Sequence, residues 1–223
     1  MTRITLTFLL VLCIVSISFG QNRKKKVQQR FKAGLIAGAN LAQINGDLYT
    51  GYDKLGLQFG VKGIMVLTPQ REASIELLYS QRGSERDNKG HQVLDRNVNI
   101  HLTYAETPIL MTLLYKENEE GNFFHNHFHF GLSYSRLLNT KIEAGPIFDP
   151  ELEVDYAALA PFFKTNDLAV VVGITHFLSK HLGFTIRHTV SLTRMFENDG
   201  VDTTGRTGRW HSFFFTGQVV YLF

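Results

Sequence analysis

From Phe31 to Phe223 the chain runs in stretches of alternating apolar and polar residues, separated by turn- and loop-forming segments. A period of two is the signature of a β-strand with two unlike faces. Eight strands are predicted. The first spans residues 31–42. The second, 55–68, sets Leu57, Phe59, Val61, Met65 and Leu67 against Gln58, Gly60, Lys62 and Thr68. The third, 72–82, sets Ile75, Leu77 and Tyr79 against Ser74, Glu76, Ser80 and Arg82. The fourth begins near Val98, with Ile100, Leu102 and Tyr104 opposed to Asn99, His101 and Thr103. Pro108 has no N–H for a ladder, so a bulge is expected there that switches the faces before 109–115.

The fifth strand, 125–138, opposes Phe128, Phe130, Leu132 and Tyr134 to His127, His129, Gly131, Ser133 and Ser135. The sixth, 167–178, is apolar on both faces. The seventh, 181–194, opposes Leu182, Phe184 and Ile186 to Gly183, Thr185, Arg187 and Thr189; His188 interrupts its apolar face. The eighth, 210–223, places Phe213, Phe215, Val219, Tyr221 and Phe223 opposite Ser212, Thr216 and Gln218. The connections alternate in length. They are long at 43–54, 83–97, 139–166 and 195–209, and short at 69–71, 116–124 and 179–180.

Strands of this length, joined by alternating long and short links, fit a single eight-stranded antiparallel up-and-down transmembrane β-barrel. The polar face decides which side is inside. It is rich in Gly, Ser and Thr with scattered charges, as a crowded eight-stranded lumen requires, and the other face is large and apolar. Aromatic residues gather at strand ends. Tyr115, Phe123, Phe124, Tyr221 and Phe223 lie at the short-turn end, and Phe162, Phe163, Phe196 and Trp210 at the other. That is the girdle expected at two lipid–water interfaces. An even strand number places both termini on the short-turn side, which is the periplasmic side of an outer membrane.

The N-terminus agrees with export. Arg3 precedes an apolar run over 6–17, followed by Ser18, Phe19 and Gly20. This reads as a signal peptide over 1–20, too short for a membrane-spanning helix. Leu12 before the single cysteine, Cys13, argues against lipidation. Arg23, Lys24, Lys25, Lys26 and Arg30 follow at once, and positive charge there resists translocation, so an uncleaved anchor is the alternative. Residues 21–30 are read as a basic periplasmic leader, and 31–223 as the barrel domain. Cleavage would leave no cysteine, which excludes disulfide and thiolate chemistry. All 20 acidic residues follow Arg30, so the net positive charge belongs to the leader and not to a nucleic-acid surface. As a solvated leader it needs no partner; as a ligand-binding one it would meet anionic lipid or cell-wall polymer.

Three stretches carry a family resemblance: Ala33-Gly34-Leu35 to Asn40-Leu41, Glu76-Leu77-Leu78-Tyr79-Ser80-Gln81-Arg82-Gly83, and Tyr104-Ala105-Glu106-Thr107-Pro108-Ile109-Leu110. They resemble the PorT-like outer-membrane β-barrel family of Bacteroidetes, and the likeness covers nearly all of 31–223. The last stretch is similar to that family's Tyr-x-Glu-x-Pro pattern. The terminal Phe223 with Tyr221 resembles the signal read by the barrel-assembly machinery, although Gly217 stands one position early. The resemblance implies fold and location. Some relatives belong to a protein secretion system, which makes secretion-system proteins conceivable partners; no residue here assigns that role.

Candidate chemistry is sparse. His125, His127 and His129 share one strand face, and His-x-His can hold zinc or copper. No Cys or nearby carboxylate completes a site, so a polar rim is the simpler reading, and no cofactor is expected. Ser84, Glu85, His91 and His101 could be assembled into a hydrolytic site on paper, with no motif to fix their geometry. Lys62, Glu76, Arg82, Glu106 and Arg187 are read as a lumen ion-pair network, because a buried charge without a partner costs several kcal/mol. Counting back from the turn at 69–71 makes Lys62 a diagonal neighbour of Glu76. Glu106 joins the network if the bulge at Pro108 turns it inward. The chain is thus expected to be a non-enzymatic barrel with no open pore, having a structural, adhesive or assembly role. The alternatives are a secretion-system component or, third, a lipid-modifying enzyme.

Overall fold

The computed structural model describes residues 30–45, 54–85, 98–119, 122–144, 161–194, 196–197 and 209–223. The expected signal peptide and most of the basic leader lie outside them, as do His91 and the greater part of each long loop. Strands β1 (Phe31–Asn45), β2 (Lys54–Thr68), β3 (Arg71–Glu85), β4 (Val98–Glu117), β5 (Phe124–Ala144), β6 (Asn166–Phe177) and β7 (Leu182–Ser191) pair in sequence order, each antiparallel to the next. β9 (Arg209–Leu222) pairs with both β7 and β1, which closes the sheet into an eight-stranded antiparallel barrel. A two-residue strand, β8 (Phe196–Glu197), adds only a short ladder beside the start of β9.

The start of β1, the end of β9 and the short links β2–β3, β4–β5 and β6–β7 lie at one end. Phe223 N–H donates to Ala33 O at 2.9 Å, and Val66 N–H donates to Arg30 O at 2.8 Å. The alternation of the sequence becomes an alternation of burial. In β2, Leu57, Phe59 and Val61 are more than half exposed, whereas Gln58 and Lys62 of the opposite parity are buried. The same contrast holds for Ile75 and Leu77 against Glu76, and for Phe184 and Ile186 against Thr185 and Arg187. An apolar exterior thus encloses a largely polar interior.

The expected bulge at Pro108 does not occur. β4 keeps one register with β3 on both sides of it, and the even-numbered residues from Ile100 to Thr112 are buried. The pairing with β3 has a gap at Thr107 and Pro108, the only concession to the missing N–H. Glu106 therefore faces the lumen without any switch. Ile100, Leu102 and Tyr104 also face inward and are buried, whereas Asn99, His101 and Thr103 face outward, the reverse of the expected faces. From Ile100 to Tyr104 the polarity of β4 is thus inverted, while Arg82 and Ser84 beside it on β3 remain buried. The irregularities sit elsewhere, at Leu67 in β2 and at Leu138 in β5, each skipped by its partner's ladder.

The lumen is not uniformly polar. Ile36, Ile64, Leu78, Phe177, Val220 and Leu222 form an apolar cluster inside it, with Phe123 packed against them. Phe163, expected in the outer girdle, is buried at 5% exposure, while Phe162 beside it is exposed. The side chains of Phe196 and Trp210 lie outside the described residues. His188 on the lipid-type face stacks on Phe215, with ring centroids 4.3 Å apart, which accommodates it among apolar neighbours.

Candidate functional site

The inward rows of β2, β3, β4, β6 and β7 converge on the barrel axis and bring charged side chains together in two groups. The first is built on Glu76 of β3. Arg187 reaches across from β7 and binds it through both nitrogens, Nη1 to Oε2 at 2.6 Å and Nη2 to Oε1 at 2.8 Å. Lys62 Nζ of β2 lies 3.1 Å from Oε1 of the same carboxylate. A bidentate guanidinium–carboxylate pair is planar and directional, so it fixes the separation of the two walls as well as neutralising charge.

The second group is built on Arg82 of β3. Its Nη2 donates to Glu106 Oε2 at 2.7 Å and to Ser135 Oγ at 2.9 Å, and its Nη1 donates to Asp167 Oδ2 at 3.3 Å. The guanidinium carbon lies over two aromatic rings, 4.2 Å from the centroid of Phe214 and 4.8 Å from that of Tyr104. Glu106 also accepts from Ser133 Oγ at 2.9 Å and Gln58 Nε2 at 3.2 Å. Asp167 accepts from Thr193 Oγ1 at 2.6 Å and from Ser191 Oγ. Across the two groups, three cations face three carboxylates, and all six are buried.

All five residues singled out from the sequence thus fall in these groups: Lys62, Glu76 and Arg187 in one, Arg82 and Glu106 in the other. Lys62 stands directly opposite Glu76 in the ladder, not on the diagonal, because the bulge at Leu67 shifts the register. Asp167 was missed. It opens the sixth strand, whose faces are hard to tell apart, yet it shares the parity of Thr175 and so could have been found. Also missed was the pair Lys32–Glu72, 2.7 Å apart near the turn end.

The histidine row is spent on the protein itself. His129 Nδ1 bonds Thr112 Oγ1 at 2.9 Å and Nε2 bonds Thr175 Oγ1 at 2.6 Å. His127 Nε2 donates to Phe124 O at 3.1 Å, and His125 Nδ1 to Phe177 O at 3.0 Å. Among the described residues, no three His, Cys, Asp or Glu side chains gather as metal ligands. Of the residues considered for hydrolysis, Ser84 is buried on the inner face. His101 lies on the outer face, within 3.2 Å of Lys54 and 3.8 Å of Glu143. Tyr221 and Phe223 both project outward at the turn end, with their rings edge to face at 5.7 Å.

Charged side chains thus bond across the lumen in two groups, with the apolar cluster inside the same barrel. No family model matches the chain, and no curated protein does. Solved structures do resemble it. The attachment invasion locus protein Ail of Yersinia pestis has 9% identity and a TM-score of 0.45, over 87% of this chain and 99% of its own. Neisserial surface protein A has 10% identity and a TM-score of 0.46, over 86% and 96%. The outer membrane protein OprG from Pseudomonas aeruginosa has 9% identity and a TM-score of 0.39, over 86% and 94%.

Proposed function

We propose that this chain is an integral outer-membrane protein with a plugged lumen and a structural, adhesive or assembly role, and that it is not an enzyme. The observation that carries the membrane reading is the exterior. Leu57, Phe59, Leu77, Ile109, Leu132 and Ile186 are each more than half exposed on the outer wall. A soluble barrel puts such residues inside, and monomeric soluble proteins rarely expose so continuous an apolar surface. Lipid is the medium that makes this exterior favourable. In this reading the termini and short turns face the periplasm and the long loops face outward. The test is fractionation of cells and gel migration with and without boiling. Recovery in the outer-membrane fraction, with a band that moves on heating, is expected. Recovery as a detergent-free periplasmic protein would mean that the apolar face is covered in some other way.

A second reading, a secretion-system component, is favoured by the PorT-like stretches. Arg82, Tyr104 and Glu106 of those stretches meet in the lumen, where they serve the barrel itself. The resemblance is thus accounted for by fold. Deleting the gene and assaying surface proteins for export tests the secretion role directly.

A further inference from the structure

At the end of the barrel that carries the short links, β5 starts at Phe124 and β6 stops at Phe177. Asn126 stands opposite His176 in the ladder, so His125, Asn126, His176 and Phe177 form one block of the wall. The imidazoles of His125 and His176 lie near-parallel across the two strands, with centroids 5.7 Å apart and planes inclined by 17°. His176 is exposed and His125 half-buried.

Each ring is held by a carbonyl oxygen of the opposite strand. His125 Nδ1 donates to Phe177 O at 3.0 Å, and His176 Nδ1 donates to Asn126 Oδ1 at 2.9 Å. A carbonyl oxygen can only accept, so these bonds fix both protons on Nδ1. The neutral ring then carries its lone pair on Nε2. Metal-binding histidines are oriented in this way: one ring nitrogen donates to a carbonyl, which sets the tautomer, and the other meets the ion. The spacing suits the same purpose. Metal–nitrogen bonds of about 2.0–2.1 Å at a tetrahedral angle hold two imidazole centres about 5 Å apart. The observed separation is somewhat longer, a difference that rotation of the exposed His176 side chain can take up. The rest of the histidine row is placed otherwise. Both nitrogens of His129 are bonded to threonine hydroxyls, and His127 gives Nε2 to Phe124 O.

We infer that His125 and His176 form a two-imidazole site for a divalent ion of borderline softness, copper(II) or zinc(II), which clips the first residues of β5 to the last of β6. Imidazole suits both ions, and copper(II) should bind more tightly, as it does throughout the first-row series. No third His, Cys, Asp or Glu joins the pair among the described residues, so water completes the shell.

The test uses the full chain without a histidine tag, folded in detergent micelles, its barrel verified by heat-shifted migration. Copper(II) chloride and zinc(II) chloride are titrated by calorimetry, and the copper form is read by electron paramagnetic resonance. One ion should bind per chain, with coupling to two nitrogens and an unfolding midpoint that rises with metal concentration. His125→Gln keeps a donor for Phe177 O, and His176→Ala removes an exposed ring, so both should fold. Each should weaken binding at least about tenfold and remove one nitrogen coupling. Asn126→Leu releases only the orientation of His176 and should weaken binding less, with both couplings kept. His181 also donates Nδ1 to a carbonyl, Leu222 O, but its ring neighbour is Tyr221, so His181→Gln should leave binding unchanged. Three outcomes would overturn the inference: no binding at millimolar metal, binding that survives both His125→Gln and His176→Ala, or a copper spectrum with a single coupled nitrogen.

Discussion

Lys62 and Glu76 face each other across the β2–β3 ladder, with Nζ and Oε1 3.1 Å apart, and Arg187 clamps the same carboxylate from the far wall. The direct pairing follows from Leu67. The turn at 69–70 aligns Thr68 with Arg71, and one extra residue in β2 then shifts every later pair by one. Glu76 is thus shared by two cations, and the three residues act as a unit.

This unit predicts unequal costs. Glu76→Ala leaves two buried cations facing each other and should destabilise by about 3–5 kcal/mol. Lys62→Met should cost less, because Arg187 still satisfies Glu76. Changing Lys62 and Glu76 together to apolar residues should not rescue the barrel, since Arg187 remains buried and unpaired. Adding Arg187→Met should recover much of the loss. Urea unfolding from lipid vesicles, followed by gel shift, measures all four. A Glu76→Ala barrel as stable as wild type would refute the arrangement.

Arg82 joins Glu106 and Asp167 while lying over the rings of Tyr104 and Phe214. Arg82→Met should strand two buried carboxylates and cost at least as much as Glu76→Ala, on the order of 3–5 kcal/mol. Arg82→Lys keeps the charge but lacks the planar fork that reaches both carboxylates, so it should fall in between. Equal stability of the Lys and Arg forms in the same unfolding assay would show that charge alone matters there.

Two glycines should respond unequally to alanine. Gly83 has φ +153°, and a methyl group there would collide with the backbone oxygen of Ile100 across the β3–β4 ladder. Gly83→Ala should cost about 1–3 kcal/mol or lower the assembled fraction. Gly217 faces outward, with nothing within 4 Å of an added Cβ. Gly217→Ala should stay within about 0.5 kcal/mol of wild type. Reversal of that order would contradict the strand register.

The ion pairs across the lumen predict an insulating barrel. Purified protein in planar bilayers should give no steady current, since charged groups bond across the axis and an apolar cluster lies inside the same barrel. Sustained ohmic conductance of the unmodified protein would overturn this.

At the C-terminus, Phe223 projects outward at the seam where β9 meets β1, its N–H bound to Ala33 O. Deleting Phe223 should reduce assembled barrel in cells and leave unfolded chain to proteases. The same chain refolded in detergent should still close, because only one backbone bond is lost. Unchanged assembly in cells would assign the residue no part in biogenesis.

The alternation of the sequence determined much about this protein. A period of two in most of the eight stretches, with small and charged residues on one face and large apolar ones on the other, predicts a closed sheet with its polar face inward. Strand number and the sorting of long and short links follow from it. So does the gathering of Lys62, Glu76, Arg82 and Arg187 in one lumen, because parity alone puts them on the inner face. Tertiary structure decided what parity cannot express. A bulge is one residue with no compositional mark, so the positions at Leu67 and Leu138, and with them the face-to-face pairing of Lys62 and Glu76, came only with the closed ladder. Pro108 offered a compositional mark and no bulge, because the barrel accepts a gap in one ladder and keeps the other. The inward turn of Ile100, Leu102 and Tyr104 had the same origin. Alternation tells two faces apart, but which face meets lipid and which meets water changes along one strand, and only the position of each residue along the barrel wall fixes where.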